Sequence, residues 1–480
     1  MSESKKFAFD VGITFIASIV SMLFGFLITV LLGRYLGADD LGLYRMVSTL
    51  QIIAMLFAAV GIPAAVIKYV AEDKEDRKKI NSIVSSGVIT SLLLGIIFSV
   101  LFYVSSGIFE ELFKMQGLSS LLKILSPVFP FTLVGGVLLG FLNGLREMKK
   151  YGSATIIQSV LMIIVSVLLI YLGFGVAGVI IGVVLASVGW CLYLLLITRN
   201  YFDVTFEGYA SNTKEMLKFG VQIFAANAIN LVNYQADIVM IGYFLTATDV
   251  GYYAVAVGLS RFFWLIPQAV QAITYPATSE YWSKNNQSAL QVMIDKSMKY
   301  TACALFPIGL GIGFFANEVI TLIYGDAFIH AVLPLQILVV GTVVYGVVRA
   351  IGGSATAMGR PDIGLKIVGI SATTNIALNI LLIPIYGISG AAVATTVSLL
   401  VSSLLGTVVT IKYLNVKIDL KWHGKISGIA FLTILFFVYF EHVNVYLVGI
   451  VLLCVNLVLT FGNLLSKEDK RFFLKFIHRA

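Results

Sequence analysis

Two arginines sit in stretches that are otherwise almost wholly apolar. Arg261 follows GYYAVAVGLS, and Arg349 closes ILVVGTVVYGVVRA. A charge held in hydrocarbon costs about 2.5–3.5 kcal/mol even on lenient scales, so each needs a physical reason. A guanidinium stays charged at any working pH and forms paired hydrogen bonds with phosphate or carboxylate. The chemistry on offer is anion binding. The stretch around Arg261 also carries Trp264, Gln268, Gln271 and Tyr275. At 100° per residue these fall within an arc of about 80° on a helix, and Pro267 offers a kink. A second polar stripe runs through Asn227, Asn230, Asn233, Tyr234 and Asp237, within about 120°. Arg45 is a further cation, near the end of another apolar stretch.

Two bland alternatives stand beside this reading. Asp237 and Arg261 could pair as a salt bridge that only joins helices, and asparagines often hydrogen-bond between membrane helices with no part in transport. Other signals dissolve. His330, His423, His442 and His478 are scattered, and Cys191, Cys303 and Cys454 each stand alone in apolar sequence, so neither a metal cluster nor a disulfide framework is legible. GLGIG (309–313) has no preceding strand and no lysine, which removes the nucleotide-loop reading. Gly136, Gly140 and Gly144 share one helix face and read as a close-packing stripe. No cofactor and no metal is expected.

The elements that position these residues follow from composition. Of 480 residues 59% are hydrophobic and 12% charged, with mean hydropathy +0.96. Soluble domains carry about 25% charged residues, so the chain is an integral membrane protein. Large soluble catalytic domains are excluded. A span needs about 20 apolar residues, and fourteen candidates are legible, centred on 8–33, 43–67, 82–104, 121–144, 154–172, 177–197, 218–243, 250–275, 301–323, 332–353, 364–386, 388–411, 426–440 and 443–464. With the N-terminus inside, the inner loops and ends hold 27 Lys+Arg and the outer side 4, the other 2 lying in spans. This asymmetry puts both termini in the cytoplasm. The net charge of +8 therefore reads as topology, with no nucleic-acid partner. The segment 279–300 reads either as an amphipathic helix on the inner leaflet or as a solvated connector.

The text after the first span, GRYLGADDLGLY from Gly33, returns after the seventh as GYFLTATDVGYY from Gly242. At a constant offset of 209, Gly33 pairs with Gly242, Asp40 with Asp249, Gly42 with Gly251 and Tyr44 with Tyr253. A second echo matches GVAG (175–178) with GISG (387–390). The expected fold is all-α, with fourteen transmembrane helices arranged as two parallel six-helix repeats plus a terminal pair. The lobes are 1–200 and 217–412, joined by a cytoplasmic linker 201–216. Residues 413–480 form the extra helices and a basic cytoplasmic tail. Parallel repeats of this kind can rock about an axis along the membrane normal. Asp39 and Asp40 could be mistaken for an acidic enzyme site, but the recurrence of Asp40 as Asp249 favours a turn or cap role. No outer loop is large enough for catalysis, so no enzyme is expected.

The 6+6+2 plan, the GRYLGADDLGLY turn, its partner in the second half and GDAF (325–328) resemble the polysaccharide-transporter branch of the MOP exporter superfamily. That branch includes the Wzx-type O-antigen and lipid-linked oligosaccharide flippases. The resemblance implies two six-helix lobes, alternating access and a cell-membrane location. It implies a cargo of oligosaccharide on a polyprenyl phosphate or diphosphate, drawn from membrane lipid and moved from the inner to the outer leaflet. Cationic residues of a central cavity would hold the head group, making Arg261, Asp237, Arg349, Asn230, Asn233, Gln268, Gln271, Trp264 and Arg45 the candidate lining. Arg261, shortly before Pro267, is similar to an arginine of lipid II flippases. Those flippases carry several arginines early in span one where this chain has none, which argues against lipid II as cargo. In some relatives spans thirteen and fourteen line a groove for the lipid tail. A coupling ion, Na+ or H+, is implied for uphill work. The alternative is a cation-coupled multidrug exporter of the same superfamily, usually with twelve spans and embedded acids.

Overall fold

A computed structural model of the chain describes residues 3–440 and 442–464. The described residues are helical, with no strand among them. Among the described residues nine helices are long and apolar enough to cross a membrane, or up to eleven if each of two bent pairs is one span. Two of the nine contain a residue with non-helical backbone, Gly37 in α1 (Glu3–Ala59) and Gly387 in α15 (Pro361–Leu414). Their φ values of 89° and 58° lie where glycine carries no Cβ penalty. The chain forms two compact units, Met1–Gly251 and Tyr252–Ala480.

The first unit continues from α1 through α2 (Ile62–Glu72), α3 (Arg77–Phe113), α4 (Leu118–Leu125), α5 (Val128–Gly144), α6 (Met148–Tyr171), α7 (Gly175–Thr198) and α8 (Tyr209–Phe244). α8 begins within the segment read as a linker. Ile62, Val66, Val84, Val137, Phe141 and Leu194 form the buried core of α2, α3, α5 and α7. The glycine stripe is what lets α5 lie against α2. A Cβ on Gly140 would stand 2.8 Å from the Pro63 carbonyl oxygen, and one on Gly144 3.0 Å from that of Ile67. Apolar side chains also point outward: Ile97, Val100, Leu101 and Val104 on α3 are all more than half exposed. A helix that is apolar all round belongs in lipid.

The second repeat of the turn text is closed by its own acid. Asp249, in the first turn of α9 (Ala247–Ser260), accepts hydrogen bonds from the Thr246 amide at 3.2 Å and the Thr246 hydroxyl at 2.7 Å. This is a helix cap and needs no chemistry of the carboxylate. α9 carries the chain into the second unit.

There the order is α10 (Leu265–Ser283), α11 (Gln287–Phe314), α12 (Ala316–Tyr324), α13 (Val332–Arg349), the short α14 (Ser354–Ala357), α15, α16 (Leu420–Phe440) and α17 (Val445–Leu459). The segment 279–300 is neither a separate surface helix nor a loose connector. It ends α10, turns at 284–286, and runs on as the first half of α11, capped by Asn286 on the Ala289 amide. Gln287 Nε2 donates to the Leu414 and Asn415 carbonyls at 2.6 and 2.9 Å, and Gln291 exchanges two hydrogen bonds with the backbone of Lys417. The link into α16 is therefore tied to α11. Asp419 completes the tie: it accepts from the Trp422 amide and pairs with Lys299 at 3.3 Å. These two contacts, the amide foremost, hold its carboxyl below the ordinary carboxylate range.

Candidate functional site

Pro267 shapes the site. It has no amide hydrogen to bond back to Phe263, and its ring would crowd that carbonyl. The chain answers with a 3-10 turn, Arg261–Trp264, between α9 and α10. Arg261 opens the turn and Trp264 closes it, both half-buried. Arg349 is the last residue of α13 and reaches the same place. Its guanidinium carbon lies 5.0 Å from the Trp264 ring centroid and 5.9 Å from that of Tyr345, one turn earlier on its own helix. Arg349 Nη1 donates to the Tyr345 hydroxyl at 3.4 Å, and the two aromatic rings meet edge to face at 6.4 Å.

Stacking a guanidinium over indole contributes about 0.5–2 kcal/mol. It holds the guanidinium beside the ring, and a guanidinium's planar donors suit a flat or tetrahedral oxyanion. Further along α10, Thr274 donates to the Ala350 carbonyl at 2.8 Å. A Cβ on Gly353 would be 3.3 Å from Gln271 Nε2. Trp264 thus meets Arg349 at the end of α13, and Gln271, two turns further along α10, lies beside Gly353 in the turn that follows. Gln268 lies exposed on the same helix.

In the first unit, Asp237 is buried on α8, 7% exposed. Two residues before it, Gln235 accepts from the Thr49 hydroxyl of α1 at 3.4 Å. Arg45, half-buried, stands one turn before Thr49 on α1. Arg45 and Thr49 thus share one face of α1, and Thr49 meets Gln235 across the α1–α8 seam. The side chains of Asn230, Asn233 and Tyr234 lie outside the described residues.

Sequence reasoning missed three features. Tyr345 is one turn from Arg349, a spacing that could have suggested it. Thr49 and Gln235 carried no signal of their own. A buried polar chain also runs through the second unit: Asn379 Nδ2 donates to Asn375 Oδ1 at 3.0 Å, Asn375 Nδ2 to Thr395 Oγ1 at 3.2 Å, and Thr395 meets the Tyr253 hydroxyl at 3.3 Å. The i, i+4 asparagines in an apolar helix were the available clue.

An apolar cavity of about 530 Å³ opens between α11, α13 and α16, lined by Phe306, Leu310, Phe314, Val339, Val343 and Phe437 among others. Among the described residues no group of three or more His, Cys, Asp or Glu could hold a metal ion.

The sequence pattern of the family described as "Polysaccharide biosynthesis protein" matches residues 5–333, more than two thirds of the chain. The chain belongs to that family. A probable low-salt glycan biosynthesis flippase of Haloferax volcanii, Agl15, is 31% identical over 202 residues, which is 42% of this chain and 43% of that protein. The probable flippase AglR of the same organism is 24% identical over 405 residues, covering 83% and 82% of the two chains. Among solved structures, the lipid II flippase MurJ in an inward closed conformation superposes with a TM-score of 0.77 at 17% identity, covering 94% of this chain and 99% of that one. A multidrug resistance MATE transporter of the MOP superfamily, inward-facing, gives 0.66 at 15% identity, covering 82% and 94%. At these identities the two structures speak for the fold. The family is one of polysaccharide biosynthesis, and the fold is one shared with solved membrane transporters.

Proposed function

We propose that the protein moves an oligosaccharide linked to a polyprenyl phosphate or diphosphate from the inner to the outer leaflet of the cell membrane. The observation that carries this reading is Arg349, a permanent cation at the end of an apolar helix, held over the Trp264 ring and steadied by Tyr345. The cation matches a phosphate, and the indole beside it holds the guanidinium in place. Arg261 on the same turn supplies a second cation. Gln268 and Gln271 supply amides for glycan hydroxyls; Asp237 and Arg45 of the first unit are further candidates for the head group, as are Asn230 and Asn233, whose side chains lie outside the described residues. The apolar cavity beside α16 suits part of a polyprenyl tail, within the usual size range of ligand pockets. The probable flippases among the relatives support the class of cargo.

In this reading fourteen spans form two parallel repeats, 1–200 and 217–412, joined by 201–216. Residues 413–480 add a helix pair and a tail, which beyond 464 lies outside the described residues. Both termini face the cytoplasm, the repeats alternate access, and an Na+ or H+ gradient drives them. The second reading, a cation-coupled multidrug exporter, is favoured by one observation, the buried carboxyl of Asp237.

The test places the protein in liposomes with a fluorescent polyprenyl-diphosphate oligosaccharide and follows exposure of the head group across the bilayer. Movement that is lost in Arg349→Ala or Arg261→Ala is the expected result. Movement unchanged in both variants removes the anion site. No movement under several ion gradients, with binding of lipophilic cations instead, replaces the flippase with the exporter.

A further inference from the structure

The two copies of the turn text touch one another at backbone distance, and they do so reciprocally. A Cβ on Gly42 would overlap the Ala247 carbonyl oxygen and stand 2.6 Å from its carbon. A Cβ on Gly251 would overlap the Ala38 carbonyl oxygen and stand 2.9 Å from its carbon. At the offset of 209, Ala38 is the counterpart of Ala247 and Gly42 of Gly251. Each glycine thus receives the other copy's alanine carbonyl, the signature of a contact across a two-fold axis. Asp39 Oδ1 accepts a 3.1 Å hydrogen bond from Thr248. Thr248 is Asp39's own counterpart, so this bond lies on the axis.

A second contact of the same kind closes the other end of the α1–α8 seam. A Cβ on Gly220 would overlap the Val60 carbonyl oxygen, and one on Gly61 would lie 2.7 Å from the α-carbon of Gly220. Here α1 breaks into α2, with Val60 at φ 40° and Gly61 at φ 72°. A β-branched residue at positive φ is strained and marks a break that the surrounding packing imposes. Residues 42 and 61 are separated by about 28 Å at a helical rise of 1.5 Å per residue, close to the ~30 Å of the hydrocarbon core. The counterparts of Gly61 and Gly220 are Val270 and Val11, so the second contact has no twin in the repeat.

We infer that these contacts form a two-ended clamp, Gly42 with Gly251 at the outer face and Gly220 with Val60–Gly61 at the inner face, whose ends release alternately. The inference rests on the alternating-access reading and the topology given above. A carbonyl oxygen seated this close to a neighbouring helix needs glycine to receive it, and such a seat leaves no side chains to unlock when the helices part. The symmetric outer end opens by parting the two copies at their reciprocal contact. The inner end opens at the Val60–Gly61 break, which already carries the bend.

The clamp predicts opposite responses to one added methyl group. In a background with Cys191→Ala, Cys303→Ala and Cys454→Ala, spin labels on Tyr35→Cys and Tyr243→Cys report the outer end. Labels on Glu72→Cys and Lys214→Cys report the inner end. All four positions are exposed. Gly42→Ala or Gly251→Ala is expected to shift the outer pair to longer distances and leave the inner pair as in wild type. Gly220→Ala is expected to do the reverse. Each shift is roughly ten-fold or more in the ratio of parted to closed forms, as overpacking of a close contact implies. Folded variants that move neither pair, or that both move the same pair, overturn the clamp. Should the alanine variants fail to fold, a short thiol cross-linker between Asp39→Cys and Thr248→Cys leaves the glycines intact. Its closure is expected to halt head-group movement until reduction, and full movement in fully cross-linked protein overturns the outer end. Distances that respond as stated while wild-type liposomes show no head-group movement keep the clamp and remove the flippase reading.

Discussion

The stacked arginine gives the sharpest prediction because its energetics separate into two parts. Arg349→Gln removes the charge but keeps a hydrogen-bonding side chain. A hydrogen bond to a charged group contributes about 1.5–3 kcal/mol, so binding of the diphosphate head group should weaken roughly 10- to 150-fold. Trp264→Leu keeps the arginine and removes only the ring 5.0 Å from its guanidinium carbon. The loss of about 0.5–2 kcal/mol of cation–π energy should weaken binding roughly 2- to 30-fold. Both act through one guanidinium, so the double variant should bind scarcely worse than Arg349→Gln. The assay is titration of a water-soluble polyprenyl-diphosphate sugar analogue into protein in nanodiscs, for wild type, both single variants and the double. Thermal melting of each checks the fold. Additivity of the two substitutions within about 0.3–0.5 kcal/mol would show that the stack does not position the arginine. Wild-type affinity in Arg349→Gln would refute the site outright. Arg349→Lys should fall between, since an ammonium keeps the charge and loses the planar paired donors.

Three further outcomes follow from the packing and the loops. Gly140→Val places a Cβ 2.8 Å from the Pro63 carbonyl oxygen and should cost about 1–3 kcal/mol, read as a lower Tm. Gly136→Ala, whose Cβ meets Pro63 at an ordinary 3.6 Å, should leave the Tm near that of wild type. The carboxyl of Asp419 is held below its ordinary value, so its contribution is fully present above the unfolded pKa, about 3.9, and is lost as pH falls through the folded one. Tryptic cleavage at Lys417 and Lys421, sampled by brief proteolysis after pH jumps, should therefore speed up after exposure to pH below about 4, and Asp419→Asn should show the fast rate at neutral pH. Lys78→Cys should react with an impermeant maleimide only in inverted vesicles and Lys114→Cys only in intact cells. The opposite pattern would invert the topology.

Composition alone decided the class of molecule. With 59% hydrophobic and 12% charged residues no folding route keeps this chain in water. Local patterns went further. The turn text and its copy mark the break at Gly37 and the capped start of α9, because a positive φ and a capping acid are properties of neighbours in sequence. The stripe of Gly136, Gly140 and Gly144 announced a close helix contact but not the partner, which is α2. Pro267 announced a kink, and the chain resolves it as the turn from Arg261 to Trp264.

What periodicity cannot reach is the meeting of one helix with another. It puts Trp264 on the polar face of its own helix, and nothing within that helix says that Arg349, 85 positions later, will cover the ring. Thr49 and Gln235 gained their roles only from a neighbour across a helix seam. The contact of Gly42 with Gly251 likewise depends on two backbones arriving within van der Waals range. A residue's face on its helix is fixed by 3.6 residues per turn. Which face it meets is fixed by how ridges and gaps of whole helices fit, a property of the folded assembly of helices and not of any one segment.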